Sequence, residues 1–234
     1  MAVRSGGVGG FGRCAGLSDT VTVRRGWWRL TQGRLDDMTA NLQWPYVPLD
    51  GWTAADLDHI VPDGPNGELD ALKRIELIDG ELIIMSSRTE FHRRVVERLG
   101  NQLGSQCPHE LTATREMDVL LGERQRPCPD VSVVDKAAAA DLDRTYYEPE
   151  DVVLVVEVVS KSSEIRDRET KPRRYAQGGI QHYWRVENNG GLPVAYVYEL
   201  DPVTATYALT GIFHDRLKTT VPFAVDIALD ALVA

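Results

Sequence analysis

Two acids and one lysine stand where they could support metal-dependent chemistry. Glu157 is embedded in the β-branched run VVLVVEVV at 152–159, and Asp130 opens a second apolar run, VSVV. A charge inside a buried strand is costly unless a metal ion or an opposite charge compensates it. Lys171 follows in a polar, basic segment. Because phosphodiester hydrolysis needs a metal that activates water, and Mg²⁺ prefers oxygen ligands, these residues indicate a divalent-metal nuclease.

A β-hairpin precedes these residues and carries two further acids. In the stretch RIELIDGELIIM, Asp79-Gly80 separates two apolar runs, which is a strong hairpin signal. Glu76 lies in the first predicted strand, and Glu81 opens the return strand. The turn therefore predicts that both acids are carried on one short two-stranded unit.

The hydrophobic period then changes to that of a helix over residues 89–104. Apolar side chains recur at four-residue spacing from Phe91 to Leu103, and the arginines of this segment fall on the opposite face. His92 stands at helical spacing from the apolar stripe, so it is expected at the edge of the buried face. The helix would thus direct His92 towards whatever it covers.

A second, shorter helix is expected between Asp167 and Gln177. Thr170 is its predicted N-cap, which places Pro172 in the first turn, and Gly178-Gly179 would end it. If the whole segment is helical, the side chains four residues either side of Lys171 share its face.

The order of elements predicts one mixed α/β domain. The segments HYWRVE, VAYVYEL and TATYAL in the last third alternate like strands, so hairpin, helix, strands, helix and strands follow one another. A layered fold built on one central sheet accommodates this order. Residues 1–40 are Gly-rich and aperiodic, which is typical of a disordered extension, and residues 41–234 form the predicted domain.

Composition excludes several classes of protein. The net charge of −9 argues against a protein that coats nucleic acid through overall charge, although it allows a local basic rim. No apolar run approaches the roughly 20 residues of a membrane span. The three cysteines are scattered and form no C-x-x-C pair, which favours neither a disulfide framework nor a thiolate zinc site. A cytoplasmic location is the expectation.

Several short motifs together resemble the Uma2 family of endonucleases. They are PD at 129–130, E-V-V-S at 157–160, D-x-x-x-K-x-x-x-Y at 167–175 and G-I-x-x-Y-W at 179–184. Uma2 belongs to the PD-(D/E)XK restriction-endonuclease-like superfamily. The resemblance implies an αβββαβ core with a mixed central sheet, here with an N-terminal β-hairpin and extra C-terminal strands. It also implies cleavage of DNA that depends on Mg²⁺, with Mn²⁺ as a substitute, and subunits that pair as a homodimer.

The resemblance also assigns roles to particular residues. Asp130 and Glu157 become metal ligands, with Glu81 as the candidate third acid. The superfamily places its lysine two residues after the glutamate, where this chain has Val159. Within the family this lysine moves to the following helix, which makes Lys171 the charge-stabilising candidate. His92 is the candidate that completes the catalytic set.

Each of these residues also has a structural interpretation. Asp130 could cap a strand, and Glu157 could form a buried ion pair with Lys171 or an arginine. Lys171 and Glu81 could be solvated, and His92 could be a hydrogen-bonded residue at the edge of the core.

Two other functions stay open at this point. One is a catalytically inactive module that keeps the fold and binds nucleic acid or a partner protein, which the displaced lysine favours. The other is a metal-dependent hydrolase that acts on a different phosphoester.

Overall fold

The computed structural model describes residues 48–59, 75–85 and 88–234. The predicted disordered extension, 1–40, lies outside these residues. Within them are three α-helices and twelve strands. The helices are α1 (Ala54–His59), α2 (Glu90–Gln106) and α3 (Lys171–Gln177). The strands are β1 (Ile75–Ile78), β2 (Glu81–Ile84), β3 (Leu111–Arg115), β4 (Asp118–Val119), β5 (Val131–Asp135), β6 (Tyr146–Tyr147), β7 (Val152–Val158), β8 (His182–Asn189), β9 (Leu192–Asp201), β10 (Thr206–Phe213), β11 (Arg216–Thr219) and β12 (Val225–Ala228).

The predicted hairpin is confirmed. Strands β1 and β2 pair antiparallel, and the two turn residues Asp79 and Gly80 have φ values of 55° and 76°. A two-residue type I′ turn requires a positive φ at both positions, which asparagine, aspartate and glycine tolerate best. The sequence Asp-Gly therefore fixes the register of this hairpin, in which Glu76 lies opposite Ile83.

A six-stranded sheet forms the centre of the molecule, with the strand order β10-β9-β8-β7-β5-β3. Within it β7 and β8 are parallel, whereas each of the other neighbouring pairs is antiparallel. The sheet is therefore mixed, and the predicted restriction-endonuclease-like α/β fold, with its separate N-terminal hairpin and additional C-terminal strands, is confirmed.

Helix α2 covers one face of this sheet. Thr89 caps it, since its hydroxyl accepts a hydrogen bond from the backbone N–H of His92. The predicted apolar stripe, represented by Val95 and Leu99, packs on alternate residues of β7 such as Leu154 and Val156. This contact buries the apolar core on one face of the sheet. The observed bounds of α2 agree with the predicted helix to within two residues.

Helix α3 covers the opposite face, together with several tyrosine rings. Val155 of β7 lies in this second cluster with Tyr175 of α3 and Tyr183 of β8. Because side chains alternate across a strand, Glu157 faces the same side as Val155. The glutamate is thus directed towards α3.

The helical segment that leads to Lys171 begins earlier than predicted. Residues Arg166–Thr170 form a π-helical turn, in which the backbone N–H of Lys171 bonds to Arg166 O. Thr170 has helical dihedral angles and no side-chain capping bond, so its predicted role as N-cap is wrong. Proline lacks an N–H and clashes with the carbonyl four residues before it, and the wider π-turn accommodates Pro172 at the start of α3.

No helix in the described part of the chain has the length and apolar character needed to cross a membrane.

Candidate active site

The register of the central sheet brings Asp130 next to Glu157. Val131 of β5 lies opposite Val156 of β7. Asp130 directly precedes β5, and Glu157 directly follows Val156, so both acids lie at this end of the ladder. The backbone N–H of Val158 donates a hydrogen bond of 2.8 Å to Asp130 Oδ2. The two acids predicted to meet therefore do lie side by side, at adjacent strand ends.

The Asp130 carboxylate is held by three donors. Besides Val158 N–H, His92 Nε2 lies 3.1 Å from Asp130 Oδ2, and Arg88 Nη2 lies 2.9 Å from Asp130 Oδ1. Burial alone would raise the pKa of Asp130, but the His92 hydrogen bond and the charges of His92 and Arg88 hold it below the usual value. Since an ionised carboxylate only accepts hydrogen bonds, His92 Nε2 carries the proton of this contact.

Lys171 lies beside three carboxylates and is itself only 1% exposed. Its Nζ is 2.6 Å from Glu76 Oε1, 3.0 Å from Glu157 Oε1 and 3.7 Å from Asp167 Oδ1. The interpretation of Lys171 as a solvated surface lysine is therefore wrong. Its ion pair with Glu157 was one of the two alternatives that the sequence left open for the glutamate.

Helical spacing supplies the other side chains of this cluster. Asp167 and Tyr175 stand four residues either side of Lys171, and all three are buried. Tyr175 Oη donates a hydrogen bond of 2.7 Å to Glu157 Oε1, the same oxygen that Lys171 contacts. The expectation that these residues share one helical face is confirmed, even though the helix contains a π-turn.

Glu76 is the acid whose place in the site the sequence did not predict. Its side chain is fully buried, and its Oε1 also accepts a hydrogen bond from the Cys128 backbone N–H. The hairpin is docked by a pair of backbone bonds between Leu77 and Arg126, two residues before Cys128. This docking joins segments that are far apart in the chain, and hairpin periodicity does not predict it. The available signal was a glutamate inside an otherwise apolar strand.

Arg126 anchors that docking. Its side chain is 5% exposed, and it forms ion pairs of 2.7 Å with Asp118 and 2.6 Å with Asp58. Its guanidinium also lies 5.0 Å from the centre of the Tyr146 ring, a cation–π arrangement. The buried arginine thus ties the hairpin to α1 and to the β4–β6 pair.

Glu81 starts β2 and pairs with Ile78, so it lies two pairs along the hairpin from Glu76. The hairpin acid whose carboxylate reaches Lys171 is Glu76, and Glu81 is half-buried nearer the turn. A role for Glu81 as a metal ligand stays a prediction.

The cluster around Lys171 carries an excess of acid. Three carboxylates face one ammonium group, which leaves two negative charges uncompensated if all the groups are ionised. Burial raises the pKa of Glu157 well above its usual range and that of Asp167 to about 6. Although burial alone would lower it, the neighbouring carboxylates raise the pKa of Lys171. The lysine therefore stays charged, and burial favours the protonated forms of Glu157 and Asp167, whose protons a cation could replace.

The donor atoms suit a hard divalent cation. Glu76 Oε2 and Asp167 Oδ1 are buried and have no hydrogen-bond partner among the described residues. No group of three or more His, Cys, Asp or Glu side chains in that part of the chain is arranged to hold a metal as it stands. Mg²⁺ often takes only one or two protein carboxylates, with water and phosphate oxygens completing its shell. The residues present therefore fit such an ion in chemistry and in charge.

Two comparisons with known proteins bear on the family and the fold of the chain. A model of the Uma2 family, described as "Putative restriction endonuclease", matches residues 66–231, more than half of the chain. A crystal structure from Anabaena variabilis, described as "a putative nuclease belonging to DUF820", is similar with a TM-score of 0.54 at 16% identity. That match covers 68% of this chain and 89% of the other, and it concerns the fold. No curated protein matches the chain.

Replacing Lys171 with methionine should strongly destabilise the protein. The substitution leaves three buried acids without their cation, and breaking a buried charge pair costs about 3–5 kcal/mol. We expect urea unfolding at pH 7 to show that Lys171→Met lowers the free energy of unfolding by an amount in this range. The exposed Lys161 provides the control, since Lys161→Met should change stability by no more than about 0.5 kcal/mol. A loss below about 1 kcal/mol for Lys171→Met would contradict this account.

Asp167 should make stability depend on pH between about 4 and 6. Its pKa rises from 3.8 to about 6 on folding, so the native state binds the proton more tightly than the unfolded chain. The contribution of Asp167 to the free energy of unfolding is complete below pH 4 and is lost as pH rises through about 6.

Without divalent cations, the free energy of unfolding of the wild type should therefore fall by about 3 kcal/mol, relative to that of Asp167→Asn, between pH 4 and pH 7. Urea unfolding of both proteins across this range measures the difference, and the exposed-site variant Asp141→Asn is the control. If the difference in unfolding free energy between the wild type and Asp167→Asn stays constant with pH, the raised pKa of Asp167 is ruled out.

Proposed function

The chain belongs to the Uma2 family, and on this premise we propose that it is a Mg²⁺-dependent endonuclease that hydrolyses phosphodiester bonds of DNA. The observation that carries the proposal is the buried group of Glu76, Glu157 and Asp167 around Lys171, next to Asp130. A cluster with this excess of acid has little value for stability alone, because burying charges costs more than their pairing usually returns. Perturbed carboxylates of this kind concentrate at functional sites.

Asp130 and Glu157 would hold the metal, with an oxygen of Glu76 or Asp167 as a further ligand. Bound there, Mg²⁺ would lower the pKa of a water molecule and neutralise charge on the phosphate. Mn²⁺, which accepts the same oxygen ligands, would substitute for it.

Lys171 would stabilise the negative charge that develops on the phosphate. Its ammonium is fixed by Glu76 and Glu157 before any substrate arrives, so little reorganisation is needed at the moment of reaction. Tyr175 holds the Glu157 carboxylate from the same helix face. The displaced lysine thereby serves the purpose of one placed two residues after the glutamate.

His92 would act as a positioning residue. It contacts Asp130 Oδ2 from α2, while Val158 N–H contacts the same oxygen from β7. These two donors fix the carboxylate and favour its ionised form, which is the form that binds a cation.

DNA is the substrate that the surroundings of α3 favour. Arg168 and Arg173 on this helical segment are exposed, and Arg174 is partly exposed. Arginines next to a phosphate-cleaving site suit contacts to the nucleic-acid backbone, which position DNA without reading its sequence.

Cleavage of plasmid DNA with Mg²⁺ or Mn²⁺ tests this function. Asp130→Asn and Glu157→Gln should each reduce the rate at least about a hundredfold, because each removes a charged oxygen donor for the metal. Glu164→Gln, which changes an exposed acid near the start of the helical segment, should leave the rate within about twofold.

Cleavage that survives both site substitutions would refute the proposed site. Absence of cleavage with either metal, combined with DNA binding that weakens as salt rises, would instead favour a catalytically inactive binding module.

A further inference from the structure

Arg88 occupies the oxygen of Asp130 that the other two donors leave open. Arg88 Nη2 lies 2.9 Å from Asp130 Oδ1, whereas His92 and Val158 N–H both use Oδ2. The other end of the guanidinium contacts the carboxylate of Glu116. One arginine therefore bridges a buried acid of the site and an acid at the surface, since the Glu116 side chain is 44% exposed.

The three donors to Asp130 differ in how firmly they are held. Val158 N–H belongs to the central strand β7, and His92 is buried in the first turn of the capped helix α2. Arg88 precedes that helix and reaches Asp130 through a long side chain that is 13% exposed. Of the three, Arg88 is the donor that can leave without a change in a helix or strand.

We propose that Arg88 is an exchangeable counter-ion, which yields Asp130 Oδ1 to an incoming divalent cation and then contacts a phosphate of the DNA. This inference rests on the proposed function and names a further residue of the same site. In the structure the guanidinium compensates the charge of a buried acid whose Oδ1 has no other donor among the three named. Once a metal takes over that task, the freed guanidinium lies at the edge of the site with two donors available for a phosphate.

The exchange predicts opposite effects on metal and on DNA. Removing the guanidinium takes away a competitor for Asp130 and a positive charge close to the metal position, so the cation should bind more tightly. The same change removes a phosphate contact, so DNA should bind more weakly. A residue that only supports the local fold would weaken both.

Isothermal titration with Mn²⁺ alone gives the first readout, independent of cleavage. We expect Arg88→Gln to bind Mn²⁺ about tenfold more tightly than the wild type, the scale of one lost charged hydrogen bond. Arg88→Lys keeps the competing charge and should stay within about twofold of the wild type. Arg93→Gln removes a charge from an exposed position of α2 and should have no effect beyond twofold.

Binding of a short DNA duplex in Ca²⁺, across a series of salt concentrations, gives the second readout. Arg88→Gln should weaken binding about three- to tenfold and reduce the slope of log affinity against log salt by about one. Unchanged or weaker Mn²⁺ binding by Arg88→Gln would overturn the exchange, as would an unchanged affinity for DNA.

The wild-type chain provides a test that does not depend on the folding of that variant. With ¹⁵N-labelled arginine, the side-chain signal of Arg88, assigned from its loss in Arg88→Lys, should shift on addition of Mg²⁺ while that of Arg93 does not. If the Arg88 signal does not shift although the metal is bound, the inference is overturned. Absence of Mn²⁺ binding to both the wild type and Arg88→Gln would refute the metal site itself, and with it the exchange.

Discussion

The burial of one ammonium group among three carboxylates is the constraint on which the site depends. Lys171 cannot be charged and almost fully buried unless acids surround it, and Glu76 and Glu157 cannot be buried as anions without it. These groups come from the hairpin, the central strand β7 and the helix α3. Each element is therefore fixed relative to the other two by electrostatics as well as by apolar packing. The pairing of Lys171 with these carboxylates explains why a mixed sheet with an otherwise apolar core tolerates charged side chains at its centre.

Much of this arrangement could be predicted from local patterns in the sequence. Asp79-Gly80 determines a hairpin, the apolar stripe determines α2, and the β-branched run around Glu157 determines a central strand. Four-residue spacing places Asp167 and Tyr175 with Lys171. The residues that escaped prediction depend on contacts between distant segments. Glu76 reaches the site only because the hairpin docks on Arg126, a pairing that no local periodicity reveals.

The π-turn before α3 illustrates a different limit. Helix rules suggested that Pro172 must stand near a helix start, and Thr170 offered a suitable cap. In the structure the helix instead widens over Arg166–Thr170 and continues through the proline. The π-turn does not separate Asp167 from Lys171, since their charged atoms are 3.7 Å apart. The sequence rule correctly marked Pro172 as a position that an uninterrupted α-helix does not accommodate. Either a helix start or a π-turn relieves the clash of its ring with the preceding turn, and the rule does not distinguish between them.

The arginine, histidine and lysine of the site have a common consequence for metal binding. In the structure Arg88 and His92 lie against the carboxylate of Asp130, while Lys171 lies against that of Glu157, whose pKa burial raises. A divalent cation that enters this environment meets acids whose charges are already compensated. Its binding would therefore be an exchange, in which protons or arginine contacts are released as metal contacts form. Affinity then reflects the difference between two compensated states, so a modest affinity for the free ion is expected. On the proposed function, the phosphate of a bound substrate would supply additional charge and oxygen ligands that shift this balance, and metal binding would be coupled to the arrival of DNA.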